Sequence, residues 1–359
     1  MKNVRKLVLA SFMLALIFSI APVVLAQDGI ETVCLVTDIG QIDDGTFNQF
    51  AHEGAIAVTE DYDLDYTFIE TQAEADYETN INTCVEEGFD VILTIGFMIA
   101  DATWDAAVAN PDVFFVGVDQ FVGDQTDEDG NVTEEAPENY VGIQFREDQA
   151  GFLAGALAAL MTENDIVAGV YGVEIPPVKK FRNGFENGAQ YINPDITLLG
   201  VYIDDFVAPD RGASAAEQFI GEGADVIFGA GGQTGSGGIT AAAQQDVYVI
   251  GVDQDEYLST FRDGETPGAE YIISSAMKRV DQGVYDMVAA LAEGDMDGFP
   301  GGGVYVMDAT LGGVGLAEPH DADVPEEILA QLEDIFNMMA EGELDSGVDP
   351  ITGDMLEAE

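Results

Sequence analysis

The feature that most constrains this chain is an internal repeat. Glu87-Gly88-Phe89-Asp90-Val91-Ile92 is echoed by Glu222-Gly223-Ala224-Asp225-Val226-Ile227, and Gly117-Val118-Asp119-Gln120 returns as Gly251-Val252-Asp253-Gln254. Asp90 stands 29 residues before Asp119, and Asp225 stands 28 before Asp253. One matching tetrapeptide can arise by chance. Two in the same order at nearly the same spacing imply two units of one plan. A chain of 359 residues is also too long for one ordinary core and comfortable for two.

Within each half, apolar runs alternate with amphipathic stretches. Strands are expected at Val33–Thr37, Val91–Gly96, Val113–Val118, Ile166–Gly172, Thr197–Ile203, Val226–Gly229 and Val247–Val252. Helices are expected at Phe47–Val58, Asp148–Met161 and Ser214–Gly221. Most of the strand runs are continuously apolar, as strands covered on both faces are. The chain therefore reads as α/β, with two doubly wound parallel sheets flanked by helices. The acidic stretch Gly123–Glu138 reads as a solvated loop. It is not a calcium loop, because Gln125 and Ala136 occupy its first and last ligand positions.

The first residues read as an export signal. Lys2, Arg5 and Lys6 precede an apolar run from Leu7 to about Ile20, and Val24 and Ala26 suit cleavage after Ala26. That run is too short for a comfortable membrane span. Export to the periplasm or cell surface is expected. No cysteine follows the cut to carry a lipid. The two cysteines, Cys34 and Cys84, either bond in an oxidising compartment or stay as two free core thiols. A formal charge of −57 repels phosphate backbones and anionic membranes, so nucleic acid is excluded as a partner. The bland source of this acidity is solubility.

Ligands of open parallel sheets bind beyond the carboxyl ends of strands. Several polar residues fall there. Asp38 follows the first strand. Thr46 and Gln49 form a capping-box pattern that would start a helix with Phe47 and Asn48 in its first turn. An aromatic there can stack on a flat ring, and an Asn amide can read a base edge. The competing reading of Phe47 is a core helix residue. Asp119 and Asp253 each end an apolar strand, where a carboxylate suits a ribose diol or, alternatively, a helix cap or hinge contact. Gly231–Gly238 reads as a loop that lets backbone approach a ligand. Lys278 is one of only three lysines after the signal, with Lys179 and Lys180. It can pair with Asp253 and donate to a sugar hydroxyl, or it can be an ordinary surface ion pair. The chain has two histidines, His52 and His320, at unrelated places. It has no nucleophile-elbow pattern and no metal-spaced histidine pair, so an enzyme is not expected, nor is a cofactor.

Taken in order, these segments resemble the basic membrane protein family, the substrate-binding proteins of ABC transporters that include the purine nucleoside receptor of spirochaetes. The resemblance runs from Val36-Thr37-Asp38-Ile39-Gly40 through Asp43-Asp44 to Phe47-Asn48-Gln49. It continues through Phe145-Arg146-Glu147-Asp148-Gln149-Ala150-Gly151-Phe152-Leu153-Ala154-Gly155, Phe181, Gly184-Phe185 and Asn193-Pro194-Asp195. Gly223-Ala224-Asp225-Val226-Ile227-Phe228, Gly232-Gln233-Thr234-Gly235, Ile250-Gly251-Val252-Asp253-Gln254 and Lys278-Arg279 complete it.

The resemblance implies a type I periplasmic-binding-protein fold, two lobes joined by a three-crossover hinge that closes over ligand. The expected lobes are 30–142 with 276–305, and 143–275 with 306–359. The ligand is expected to be a nucleoside, a purine first. Phe47 and Asn48 would meet the base, and Asp253 and Lys278 the sugar. Asp38, Asp119 and Gly232 sit in matching cleft motifs. Phe206, in a segment resembling the family's Tyr…Phe…Asp stretch, would supply the opposite stacking face. A membrane permease is the expected partner of a monomer. Two competing readings are a sensor of the same fold for a sugar or other small polar molecule, and an enzyme acting on nucleosides. The chain departs from the family in its acidity and in lacking a lipidation cysteine.

Overall fold

A computed structural model describes residues 29–127 and 130–357; the expected signal peptide at 1–26 lies outside them. The chain first lays down β1 (Thr32–Ile39), α1 (Phe47–Asp61), β2 (Asp65–Thr71), α2 (Tyr77–Glu87), β3 (Val91–Ile95), α3 (Ala100–Ala109) and β4 (Phe114–Val118). A small exposed hairpin, β5 (Gln125–Thr126) with β6 (Val132–Glu134), occupies the stretch read as a loop. β7 (Tyr140–Phe145) and α4 (Glu147–Met161) follow. Then come β8 (Ile166–Tyr171), α5 (Pro176–Ile192), β9 (Thr197–Tyr202), α6 (Pro209–Gly221), β10 (Val226–Ala230), α7 (Gly232–Ala243), β11 (Tyr248–Asp253) and β12 (Ile272–Lys278). α8 (Val280–Glu293), β13 (Gly303–Met307), β14 (Val314–Leu316) and α9 (Glu326–Ala340) end it.

The strands form two six-stranded sheets of matching order, β2-β1-β3-β4-β7-β13 and β9-β8-β10-β11-β12-β14. The repeat is explicit here. Glu87–Ile92 and Glu222–Ile227 lead into the equivalent strands β3 and β10, and the two Gly-Val-Asp-Gln segments end the equivalent strands β4 and β11. Every pairing in these sheets is parallel except β12 with β14. The inner strands are buried on both faces: β3 and β10 along their whole length, β1 throughout its interior. Their predominantly apolar composition follows from that double cover. The chain passes between the sheets three times, after Phe145, after Lys278 and between β13 and β14. This is the type I periplasmic-binding-protein architecture.

Cys34 on β1 and Cys84 on α2 form a disulfide with Cα atoms 6.0 Å apart. It fastens α2 to the first sheet across 50 residues of chain, and closing a loop of that length removes roughly 4 kcal/mol of unfolded-state entropy in the chain-entropy picture.

Two local expectations are corrected. The side chain that caps α1 is Asp44, not Thr46: its carboxylate accepts from the backbone N–H groups of Thr46, Asn48 and Gln49 at 2.9, 3.1 and 3.1 Å. A two-oxygen acceptor two residues earlier satisfies several helix-start donors at once, which a single hydroxyl does not. The glycine-rich segment read as a loop is also largely helical, since α7 begins at Gly232. Its glycines serve packing. A Cβ on Gly235 would lie 2.9 Å from the Gly229 backbone, and one on Gly237 would lie 2.5 Å from the Pro209 carbonyl oxygen.

Candidate functional site

The carboxyl ends of the two sheets face each other across one cleft. From the first lobe it receives the β1–α1 connection, Gly96-Phe97 after β3 and Asp119 after β4. From the second it receives the start of α5, Phe206, Gly231–Gln233, Asp253 and Lys278. All eight residues singled out from sequence, Asp38, Phe47, Asn48, Asp119, Phe206, Gly232, Asp253 and Lys278, line this cleft. Phe47 enters from one lobe and Phe206 from the other.

Asp44 does more than cap α1. Its Oδ2 also accepts from Asn48 Nδ2 at 3.1 Å. The Asn48 amide is therefore oriented, and its Oδ1 is buried without a hydrogen-bond partner among the described residues. Asp119 Oδ1 is in the same condition on the cleft wall. Buried polar atoms normally find partners, so this wall is built to meet hydrogen-bond donors.

Asp119 and Asp253 end equivalent strands with φ of 64° and 66°. This left-handed backbone is uncommon outside glycine and most accessible to Asp and Asn. The repeated Gly-Val-Asp-Gln thus turns two carboxylates into the cleft by the same twist. Its glutamines diverge. Gln120 stays in its own lobe and donates to the Gly96 carbonyl at 2.9 Å, whereas Gln254 reaches across and donates to the Thr46 carbonyl at 3.3 Å. Ser259 makes a second crossing, donating to the Gly45 carbonyl at 2.7 Å.

The expected Lys278–Asp253 pairing is corrected. Lys278 Nζ lies 2.6 Å from Asp119 Oδ2 and 2.9 Å from Glu147 Oε1. The end of β12 points the ammonium back toward the first lobe and the floor of the cleft. There the Phe47 and Phe145 rings flank it with centroids at 4.9 and 5.0 Å, a cation–π arrangement. Burial would push the Lys278 amine down, but Asp119, Glu147 and Asp253 together hold it above its ordinary value.

Burial dominates the carboxylates. It pushes Asp253 up to about 8, against the attraction of Lys278 and with help from Asp119 and Glu256. It pushes Asp38 up to about 6, although Tyr77 and the Ile39 N–H donate to it. It also raises Asp119 in spite of Lys278. Glu147 goes the other way: burial opposes its charge, but Lys180 and Lys278 hold it below the usual carboxylate range. Sequence reasoning gave no role to Glu147, Lys180 or Asp44. Glu147 and Asp44 lay inside quoted motifs, and Lys180 was visible only as a scarce lysine.

The family described as ABC transporter substrate-binding protein, PnrA-like, matches residues 31–339. The chain belongs to this family. PnrA-like proteins bind their substrates for ABC transporters and are not enzymes, so this one has a small-molecule ligand and a membrane permease as its partners. It is 32% identical over 328 residues to the CD4+ T-cell-stimulating antigen of Listeria monocytogenes serovar 1/2a, covering 87% of each chain. It is 30% identical over 295 residues to the ABC transporter nucleoside-binding protein BmpA of Lactococcus lactis subsp. cremoris, covering 79% of this chain and 80% of that one. Its fold is similar to that of an ABC transporter solute-binding protein from Aeropyrum pernix K1, with a TM-score of 0.73 at 24% identity over 88% of this chain and 92% of that one. Among the described residues, no helix of this PnrA-like protein is long and apolar enough to cross a membrane.

Proposed function

We propose that the protein captures a nucleoside, a purine nucleoside first, between its lobes and presents it to the permease as an exported monomer. One observation carries this reading. A flat apolar face and an oriented, unpartnered amide oxygen stand side by side at Phe47 and Asn48, in one cleft with two strand-end carboxylates, Asp119 of the same lobe and Asp253 of the other. The pair suits a heterocycle that offers an N–H at its edge. The carboxylates suit vicinal hydroxyls. Among the described residues, the one lysine lining the cleft is already held by two carboxylates, which favours an uncharged ligand over an anionic one. We set the lobe bounds at the crossovers, a few residues beyond the expected 142/143, 275/276 and 305/306 divisions, which would split β7, β12 and β13: residues 30–145 with 279–307 form one lobe, and 146–278 with 314–357 the other. Phe206 and Gly232 provide the second lobe's share of the base contact, and Asp38 supports the first lobe's wall. The nucleoside-binding name of the Lactococcus relative points the same way.

The test is a thermal-shift screen of the protein against nucleosides, free bases, pentoses and amino acids. A ligand that binds only the folded form adds about 2.7 kcal/mol at a hundredfold excess over its dissociation constant. Inosine, guanosine or adenosine should raise Tm, and ribose or a free base should not. A shift with sugars or amino acids alone removes the nucleoside from this reading.

A further inference from the structure

Two buried residues that do not line the cleft sit directly beneath it. Glu147 is fully buried at the start of α4, just after the first crossover. Its Oε1 takes Lys278 at 2.9 Å and its Oε2 takes Lys180 at 2.5 Å. Lys180, 2% exposed on α5, also donates to the Phe145 carbonyl at the end of β7, at 2.9 Å. The row Lys180–Glu147–Lys278–Asp119 therefore alternates charge and sums to zero. It joins the end of β7, the end of β4 and the end of β12 across both lobes.

We propose that Glu147 and Lys180 are positioning residues for Lys278, setting the one N–H that its ammonium has left for the ligand. An ammonium has three N–H donors. Asp119 and Glu147 take two, and the flanking Phe47 and Phe145 rings restrict where the third points. Lys180 neutralises the far oxygen of Glu147, so that carboxylate meets Lys278 through one oxygen only. Four buried charges are a poor way to gain stability, because desolvation offsets most of their attraction. A supporting shell that fixes the geometry of a binding group is the better account of them. The packing of α4 on α5 is built to the same end. Gly151 and Gly155 on one helix and Gly184 and Gly188 on the other leave the two backbones nearly touching, and a Cβ on Gly155 or Gly188 would lie 1.9 Å from a carbonyl oxygen of the partner helix. That close approach brings Lys180 to Glu147.

The sugar-directed role of the third N–H rests on the nucleoside reading; the positioning itself does not. The experiment has two arms. In the first, inosine affinity is measured calorimetrically for the wild type, Lys180→Met, Lys180→Arg, Lys278→Met and the double variant Lys180→Met/Lys278→Met, with Lys179→Met as the surface control. Thermal unfolding of each confirms a folded protein. Lys180→Met is expected to weaken binding about tenfold and Lys180→Arg to restore most of the loss. In the Lys278→Met background, Lys180→Met should add less than about twofold, because its effect runs through the missing amine. The same loss in both backgrounds makes Lys180 merely structural and overturns the proposal.

The second arm needs no ligand. The Nζ resonance of Lys278 is followed by NMR in ¹⁵N-lysine protein, in the wild type and in the isosteric Glu147→Gln variant. A shifted and faster-exchanging Lys278 signal is expected; an unmoved one overturns the proposal. If inosine fails to bind the wild type while that signal moves, the nucleoside reading falls and the positioning role stands.

Discussion

At the residue scale, Asp253 has the most consequential chemistry. In the folded protein, burial lifts its pKa to about 8, whereas an unfolded Asp titrates near 3.9. The folded state therefore holds a proton that the unfolded state has lost. The stability this contributes is fully present below about pH 4 and disappears as pH rises through about 8. Asp253→Asn should remove this part of the decline, seen as a flatter plot of Tm against pH than the wild type gives between pH 5 and 8. Binding has the opposite sign. An ionised carboxyl accepts from sugar hydroxyls through both oxygens, whereas the protonated form keeps a donor in place of one acceptor, so ligand capture should favour ionisation and release a proton. Affinity should then rise by up to about tenfold per pH unit toward pH 8. Calorimetry in two buffers of different ionisation enthalpy measures that proton directly; equal apparent enthalpies in both would mean that Asp253 does not ionise on binding.

At the element scale, the glycine seam between α4 and α5 governs the most. Gly188→Ala places a methyl against the Phe152 carbonyl oxygen, and the two helices must separate to admit it. A loss of about 1–3 kcal/mol is expected from overpacking of this kind, measured by denaturant unfolding. Ala at Gly221, where an added Cβ meets nothing within 4 Å, should cost far less. The elements also show what was readable in sequence. Largely apolar runs made β1, β3, β4, β8, β9, β10 and β11 legible, although β9 is a half-exposed edge strand. β2 was not, because this edge strand is only half buried and its Asp65–Thr71 stretch mixes charge with aromatics. The glycine-rich start of α7 misled for a related reason. Intrinsic propensity disfavours glycine in a helix, but the close approach of Gly229, Pro209 and Gly212 backbone requires it there. The cleft residues at strand ends were legible because topology places them. The Glu147–Lys180 contact was not, since it depends on how closely two helices separated by a strand come to lie.

At the scale of the whole molecule, two hydrogen bonds cross between the lobes: Ser259 to the Gly45 carbonyl and Gln254 to the Thr46 carbonyl. Both acceptors immediately precede Phe47 and Asn48, and both donors lie on the loop that starts from Asp253. Glu256 stiffens that loop, accepting from the Val252 N–H, Ser236 and Thr260 at 3.0, 2.7 and 2.6 Å. We expect these bonds to form only when the lobes close. Ser259→Ala with Gln254→Ala should then enlarge the radius of gyration in small-angle scattering and weaken ligand binding about three- to tenfold, mostly through faster release. Unchanged scattering and affinity would remove the latch.

The scarcity and burial of lysine have a practical consequence. Lys180 and Lys278 each leave only 2% of their side chains accessible, while Lys179 leaves 22%. Among the described residues, an amine-reactive dye therefore has one favoured target. That target sits in the first turn of α5, next to Val178 on the cleft wall. The protein carries its own attachment point for a fluorescent reporter of ligand capture, with no third cysteine to introduce beside the Cys34–Cys84 disulfide.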